Sequence, residues 1–268
     1  MKFTAYSVVV VSMRYLLNYI VGFIGGLGNA LFFLCEVVSN ILHGRIRLKE
    51  VLKQIYEQGI QSIVIIALTS FATGMVLALQ GYTMLDRFGA KEYVAQLVVL
   101  SLVRELSPVF GSLIFSGKAG ARMAAELGAM NVNDQILATR TLGVNPIEFL
   151  AVPRMIASFF VLPILVVFSE IIGIAGGYCI GVFEANVPSS FYINRTLQSV
   201  AYVDFFSGFI KTVFFAILIG WVCCYQGFAA KGGSLGVGKF TTKAVAFSYI
   251  LIVLSNTILT KIILTLWG

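Results

Sequence analysis

The chain has 268 residues, of which 59% are hydrophobic and only 12% are charged, and its mean hydropathy is +0.93. A soluble domain of this length exposes far more charge, so the composition excludes an ordinary soluble protein and indicates an integral membrane protein. The net charge of +7 lies largely in segments between apolar stretches, where membrane topology explains it without a nucleic-acid partner.

Five apolar segments are long enough to cross a bilayer, since a transmembrane helix needs about 20 mostly apolar residues. The segments lie at about 60–82, 93–117, 155–183, 200–226 and 244–267. Residues 15–38 are also apolar but rich in glycine, so they either span the membrane or lie in its interface. We predict an all-α integral membrane protein with about five transmembrane helices plus an N-terminal interfacial, or sixth spanning, helix. Residues 1–54 form the N-terminal cytoplasmic or interfacial region, and 55–268 form the transmembrane domain.

Basic residues are distributed unequally between the segments that connect the spans. Residues 1–53, 118–154 and 227–243 together carry thirteen lysines and arginines, whereas 83–92 and 184–199 carry three. The positive-inside rule places the richer set in the cytoplasm. The N-terminus is therefore expected in the cytoplasm and the C-terminus on the opposite side of the membrane.

The second span contains adjacent opposite charges, Arg104 and Glu105, followed one turn later by Pro108. A charge at the bilayer centre costs at least about 2.5–3.5 kcal/mol, so such residues face a protein interior or a water-filled cavity and find partners. Proline has no N–H, so Pro108 leaves the Arg104 carbonyl without its helical donor. Glu170 and Lys211 are further charges within spans, and the four charges sum to zero.

These charges predict one neutral buried cluster, to which Asn256 in the last span adds an amide. The cluster could take part in transport. Alternatively, its salt bridges could only lock the helices together, since buried ion pairs often serve specificity.

The segment 118–154 is too long for a simple turn. Its pattern predicts one short helix near Ala121–Met130 and a second at Asp134–Leu142, which Gly143 ends and Pro146 follows. Two amphipathic helices on the cytoplasmic face suit docking to a soluble partner. The alternative is a lid that packs on its own chain.

Gly173, Gly177 and Gly181 recur every four residues in the third span, which lets another backbone approach closely. This ladder could form a dimer contact or could pack against another helix of the same chain. The pattern does not choose between the two.

Two patterns point toward ligands but are weak. GSLGVGKF, Gly233 to Phe240, has phosphate-loop spacing, yet Phe240 replaces the required Ser or Thr and no strand precedes it. The four cysteines show no CxxC spacing and the chain has one histidine, so neither a metal site nor a catalytic residue is expected.

From about residue 55 the sequence resembles the MlaE/YrbE family of permeases. The motifs that carry the resemblance are GMVLALQGY (Gly74–Tyr82), LVRELSPVF (Leu102–Phe110), GKAGARMAAELGAM (Gly117–Met130), GVNPIEFLAVPR (Gly143–Arg154) and GVGKFTTKAV (Gly236–Val245). The resemblance implies a homodimeric, non-enzymatic permease subunit of an ABC transporter, which moves phospholipid or a related lipid between the inner membrane and an MCE-domain protein. ATP and Mg²⁺ would bind to a separate ATPase subunit, on which a small regulatory subunit is a further candidate partner. The expected location is the bacterial inner membrane, with a role in outer-membrane lipid asymmetry; the plastid inner envelope is the alternative.

The residues and the resemblance together predict three groups of site residues. The charged cluster comprises Arg104, Glu105, Glu170, Lys211 and Asn256. The lipid cavity comprises Val76, Leu77, Leu79, Gln80 and Tyr82. The ATPase-coupling segment, 126–142, comprises Glu126, Leu127, Gly128, Met130, Asp134, Gln135 and Arg140. Arg140 and Asn145 stand where family members often carry acidic residues, so we expect a partner ATPase with a matching surface. Some family members also carry an acidic residue where Asn256 stands in the cluster.

Two other classes of function stay open on the residues alone. An ion-coupled secondary transporter could use the buried charges as a proton relay, but it would usually show two related halves. A membrane anchor for a periplasmic lipid-binding protein would not require a long structured cytoplasmic segment. Dependence on an ATPase separates the permease from both.

Overall fold

The structure, a computed structural model, describes residues 25–44 and 46–267. Within them the chain forms helices and no strands, as predicted for the fold class. The chain divides into two units, residues 1–45 and 46–268. In the first unit the described helix, α1, runs from Gly25 to His43 and is long and apolar enough to cross a membrane. The remainder of the predicted segment 15–38, residues 15–24, lies outside the described residues.

The second unit contains seven described helices, five of which are long and apolar enough to span a membrane. The five are α2 (Leu48–Asp86), α3 (Lys91–Val132), α5 (Ile147–Phe183), α7 (Tyr202–Phe228) and α8 (Gly233–Trp267). The two short helices are α4 (Gln135–Thr141) and α6 (Ser189–Ser199). The five predicted spans are confirmed, and most of the helices continue several residues past the predicted cytoplasmic ends, since a helix does not stop where the apolar stretch stops.

The segment 118–154, which is predicted to be cytoplasmic, differs from the prediction in one respect. The helix predicted near Ala121–Met130 is the end of α3 and not a separate element, because nothing between Phe115 and Ala121 breaks the helix, which only loosens to a π turn at Ser116–Gly120. The second predicted helix is confirmed within one residue at each end as α4. Asp134 before α4 and Gly143 after it have positive φ angles of 58° and 77°.

The centre of the second unit is an apolar core to which all five long helices contribute. Its fully buried members include Ile66 of α2, Phe115 of α3, Leu162 of α5, Phe215 of α7 and Ile252 of α8. In a bilayer the lipid tails are as apolar as these side chains, so close packing between helices holds the bundle together.

The closest packing joins α2 to α5 through glycines. A Cβ at Gly74 would overlap the carbonyl oxygen of Gly173. The other two positions of the glycine ladder also pack within the chain, Gly177 against Val98 and Gly181 against the ring of Tyr192. The ladder therefore serves intramolecular packing, one of the two alternatives that the sequence left open.

The segment from Gly233 to Phe240 forms the first turns of α8. Gly232 and Gly233 have positive φ angles of 93° and 70° and turn the chain between α7 and α8. A phosphate loop requires a strand before it and a helix after it, so this helical geometry does not fit one.

Candidate functional site

A buried lysine, Lys211, forms the centre of the charged cluster. Its side chain is 1% exposed. Its ammonium donates to the Glu105 carboxylate at 2.6 Å, to the Arg104 backbone carbonyl at 3.0 Å and to the Thr260 hydroxyl at 2.8 Å. An ammonium has three donors, so all of them are used. The Arg104 carbonyl is the group that Pro108 cannot bond in a regular helix, and Lys211 supplies the missing donor.

The Glu105 carboxylate is held by three donors. Its Oε1 accepts hydrogen bonds from Lys211 and from the Thr260 hydroxyl at 3.0 Å, and its Oε2 accepts one from the Asn256 amide at 3.0 Å. The cluster thus ties α3, α7 and α8 together at one point. Charge-assisted hydrogen bonds of this kind are the strong ones, and they offset the cost of taking two charges into the membrane.

Arg104 points to a different partner. Its Nε donates to the carboxylate of Asp204 at 2.6 Å, and the other oxygen of Asp204 accepts the backbone N–H of Ala201 at the start of α7. The sequence analysis did not place Asp204 in the cluster, since an acidic residue in the first turn of a helix is usually explained by capping. The neutral group of charges in the structure is therefore Arg104, Glu105, Asp204 and Lys211.

Local backbone geometry brings these residues together. Arg104 and Glu105 lie in a π turn, Leu102–Leu106, which ends two residues before Pro108. Gly208 lies one helical turn before Lys211, and a Cβ there would overlap the Val103 carbonyl oxygen. A glycine at this position lets α7 approach α3 closely enough for Lys211 to reach the released carbonyl.

Glu170, which the sequence predicted to belong to the same cluster, does not share its hydrogen bonds. It is 5% exposed on α5, and no hydrogen bond or ion pair joins it to another described residue. The structure thus brings together four of the five predicted cluster residues and leaves Glu170 outside their hydrogen bonds. Sequence reasoning grouped it with the others by charge balance, which does not report distance.

An open cavity of about 480 Å³ lies beside the cluster. Polar residues of α8 form most of its wall, and Glu105 of α3 reaches into it. The lining residues are Glu105, Asn256, Thr257, Thr260, Lys261, Leu264 and Thr265. The charged cluster is therefore accessible from outside the helix bundle through this cavity, although Lys211 itself is buried.

A second cavity, of about 210 Å³, lies between α2 and α3. It is mainly apolar, with hydroxyl groups from three helices at its wall. The lining residues are Thr69, Ser70, Thr73, Leu102, Leu106, Ser107, Phe110, Ile114 and Ser169. Ser70 and Ser169 hydrogen-bond to each other at 2.7 Å, and the Ser107 hydroxyl is buried without a partner among the described residues.

The five residues predicted for the lipid cavity occupy two faces of α2. Leu77 and Tyr82 pack against the cluster formed by Ala78, Val94, Val98 and Leu102. Val76, Leu79 and Gln80 are exposed. None of the five lines either cavity described above, but Val76 and Gln80 continue the helical stripe that begins with Thr69 and Thr73 in the smaller one. Their contact with lipid stays a prediction.

An ion-pair network lies at the opposite end of the bundle. Arg122 of α3 contacts Glu57 of α2 at 3.1 Å and Glu126 at 2.6 Å, and Glu126 contacts Arg154 of α5 at 3.2 Å. The buried Arg154 also donates to the Leu150 carbonyl at 2.8 Å. The predicted coupling residue Glu126 is thus engaged within its own chain, where it links three helices.

The other predicted coupling residues divide into a buried and an exposed group. Leu127 and Gly128 are buried, and a Cβ at Gly128 would lie 3.2 Å from Ala230, between α7 and α8. Met130 is half-buried, whereas Asp134, Gln135 and Arg140 are exposed on or beside α4. Two apolar side chains accompany the exposed group, namely Leu137, which is 57% exposed, and Leu142, which is 81% exposed.

The chain is similar to known proteins over most of the second unit, residues 46–268. The family model described as "Permease MlaE" matches residues 51–262. A probable ABC transporter permease protein of Rickettsia typhi is 40% identical over 226 residues, covering 84% of this chain and 87% of the relative. The intermembrane phospholipid transport system permease protein MlaE of Haemophilus influenzae is 35% identical over 244 residues, covering 91% of this chain and 94% of the relative. The chloroplastic protein TRIGALACTOSYLDIACYLGLYCEROL 1 of Arabidopsis thaliana is 32% identical over 226 residues, covering 84% of this chain and 65% of the relative.

Proposed function

The chain belongs to the MlaE permease family, and on that premise we propose that it is the membrane-spanning permease subunit of an ABC transporter for phospholipid or a related lipid. The lipid passes between the inner membrane and an MCE-domain partner. The observation that carries the proposal is the hydrogen-bonded charged cluster beside an open cavity, on a chain whose family match runs from residue 51 to residue 262.

The cavity and the apolar exterior of the bundle suit the two halves of a phospholipid. The polar wall around Glu105 and Thr260 can bind a charged or zwitterionic headgroup, while acyl chains lie along apolar surface such as Val76 and Leu79 of α2. Lys211 and Glu105 hold α3, α7 and α8 in one arrangement, and rearrangement of that pair changes the cavity. This couples the position of the helices to the presence of a lipid.

Energy enters through a separate ATPase that carries ATP and Mg²⁺. The exposed residues of α4 and its flanks, Asp134, Gln135, Leu137, Arg140 and Leu142, form the docking surface. Behind that surface Glu126 connects α3 to α5 through Arg154, and Arg122 connects both to α2. A movement of α4 therefore reaches α3 through the short connection at Asn133 and Asp134, and it passes from α3 to α2 and α5 through salt bridges.

The permease works as a homodimer in the bacterial inner membrane, with its N-terminus in the cytoplasm and its C-terminus in the periplasm. A small regulatory subunit on the ATPase belongs to the same proposal. The support for this orientation is the excess of basic residues in 118–154 and 227–243 over 83–92 and 184–199.

The testing experiment is co-purification of the tagged full-length protein in mild detergent, with its partners identified by mass spectrometry. We expect a stoichiometric ABC ATPase and an MCE protein with the wild type. With Leu142→Asp the ATPase yield falls by about tenfold or more, because a charge cannot be buried unpaired in the docking surface. Leu197→Asp on α6 is the matched control, since Leu197 is 73% exposed and α6 lies outside the docking surface.

The same preparation separates the other classes of function. A clean protein without any ATPase that still moves lipid in vesicles would establish the secondary transporter instead. A protein that recovers an MCE partner but neither an ATPase nor transport would be a membrane anchor.

A further inference from the structure

One lysine that no role above includes, Lys261, lines the cavity beside the charged cluster. Seven side chains form the wall of that cavity, and of these only Glu105 and Lys261 carry a charge. Lys261 follows Thr260 directly in α8, and Thr260 is one of the groups that hold Glu105. The cavity therefore contains a second cation beside the cluster.

The two charges of the wall differ in how they are compensated. Glu105 accepts hydrogen bonds from Lys211, Thr260 and Asn256. The side chain of Lys261 is exposed and makes no hydrogen bond or ion pair within the part of the chain that the structure describes. The carboxylate is thus already neutralised by Lys211, while the ammonium of Lys261 is available to a ligand.

The summed charge of the cluster and Lys261 also favours an anionic ligand. Arg104 is paired with Asp204, and Lys211 is paired with Glu105. With Lys261 added, these five groups carry a net charge of +1. Asn256 contributes an amide and no charge, so the carboxylate of Glu105 is the one negative group among the lining residues. An anionic ligand is therefore the electrostatic complement of this cavity.

The position of Lys261 suits the phosphate of a lipid headgroup. The ammonium is a compact point charge on a flexible stem, which binds phosphate without a fixed angle. Because α8 ends at Trp267, Lys261 lies near the end of its span, at the depth where long basic side chains reach headgroups. A zwitterionic headgroup carries its own ammonium next to the phosphate, and that group repels Lys261. A headgroup with a net negative charge has no such competitor.

We propose that the cavity prefers phospholipids with a net negative headgroup, and that Lys261 is the specificity-determining residue that pairs with the headgroup phosphate. This inference rests on the proposed function, because it names the lipid class of the same site. It concerns which lipid binds and not whether lipid is moved.

The test measures which lipid the full-length protein retains. The purified protein is equilibrated with mixed micelles that contain equal amounts of phosphatidylglycerol and phosphatidylethanolamine, and the lipids retained after washing are quantified by mass spectrometry. We expect the wild type to retain phosphatidylglycerol in excess. In Lys261→Gln that excess falls by about threefold to tenfold, the effect of one lysine near an anionic headgroup, while Lys261→Arg keeps it.

The matched control is Lys91→Gln. Lys91 begins α3, at the end of the bundle where α8 finishes, but it does not line the cavity. An equal loss of preference in Lys91→Gln and Lys261→Gln would overturn the inference, since it would report a general surface charge. An unchanged ratio in Lys261→Gln, or a wild type that retains both lipids equally, would overturn it as well and would leave the proposed function standing. A wild type that retains no phospholipid would instead contradict the proposed function.

Discussion

At the scale of single residues, the buried charge of Lys211 is tolerated because each of its three hydrogen-bonding positions is used. The three donors of Lys211 meet Glu105, the Arg104 carbonyl and the Thr260 hydroxyl. The Arg104 carbonyl is free for this purpose because Pro108 has no N–H. Pro108 and Lys211 therefore act together although they lie on different helices: the proline leaves the carbonyl without a helical donor, and the lysine donates to it.

We predict that Glu105→Ala or Lys211→Ala reduces lipid transport by about tenfold or more, because truncating one partner of a hydrogen-bonded charge pair leaves the other uncompensated. The measurement is ATP-dependent lipid exchange between vesicles, with the permease and its ATPase reconstituted together. The protein should still insert, since neither substitution shortens an apolar span. Glu92→Ala, which removes an exposed carboxylate at the start of α3, is the control. Wild-type transport in both cluster variants would contradict a transport role and leave the helix-locking explanation.

At the scale of elements, glycines decide which helices touch. α2 and α5 meet through Gly74 and Gly173, and α7 meets α3 through Gly208. The Ser70 hydroxyl contacts that of Ser169 at 2.7 Å beside the first of these contacts. Small residues matter more in a membrane than in water, because the helices gain from contact with each other only where they pack more closely than lipid does.

We predict that Gly74→Ala destabilises the protein by about 1–3 kcal/mol, the usual cost of overpacking, because its methyl group would overlap the backbone of α5. Thermal unfolding in detergent measures the change. Gly238→Ala is the matched control, since a Cβ there meets nothing within 4 Å. Helix propensity then favours alanine by up to about 1 kcal/mol. Equal unfolding temperatures for the two variants would show that the α2–α5 contact can relax.

At the scale of the whole molecule, the second unit has a group of paired charges at each of its two ends. The charged cluster and its cavity involve the start of α7 and the last turns of α8. The salt-bridge network of Glu57, Arg122, Glu126 and Arg154 lies where α2 and α5 begin and α3 ends. The long helices run between the two ends. A conformational change at one end is therefore transmitted to the other end along rigid helices.

We predict that the cluster end faces the periplasm and the network end faces the cytoplasm. In a variant without the four native cysteines, Asn194→Cys on α6 should react with a membrane-impermeant maleimide in intact cells. Ser234→Cys at the start of α8 should react only after the membrane is opened. Both positions are exposed and uncharged, so neither substitution changes the distribution of basic residues. The reverse pattern would invert the orientation and contradict the positive-inside assignment.

The sequence by itself determined the membrane class, the five long spans and the short helix α4. Each of these follows from local properties, namely a run of apolar residues of sufficient length or a turn residue such as Gly143. It also indicated that Arg104, Glu105 and Lys211 need partners, because the cost of a membrane charge does not depend on the fold. It did not predict α6, whose residues 189–199 are polar enough to resemble a loop.

Only the tertiary structure decided which groups meet. Charge balance allowed Glu170 to complete the cluster, but Asp204 pairs with Arg104, because the faces of α7 and α3 come together there. The glycine ladder could have served a dimer, but α2, α3 and α6 cover it. Helix faces are set by the crossing of elements far apart in the chain, and no local pattern contains that crossing. The physical reason is that the local sequence shows which charged residue needs a partner in the membrane. Only the packing of the helices determines which residue becomes that partner.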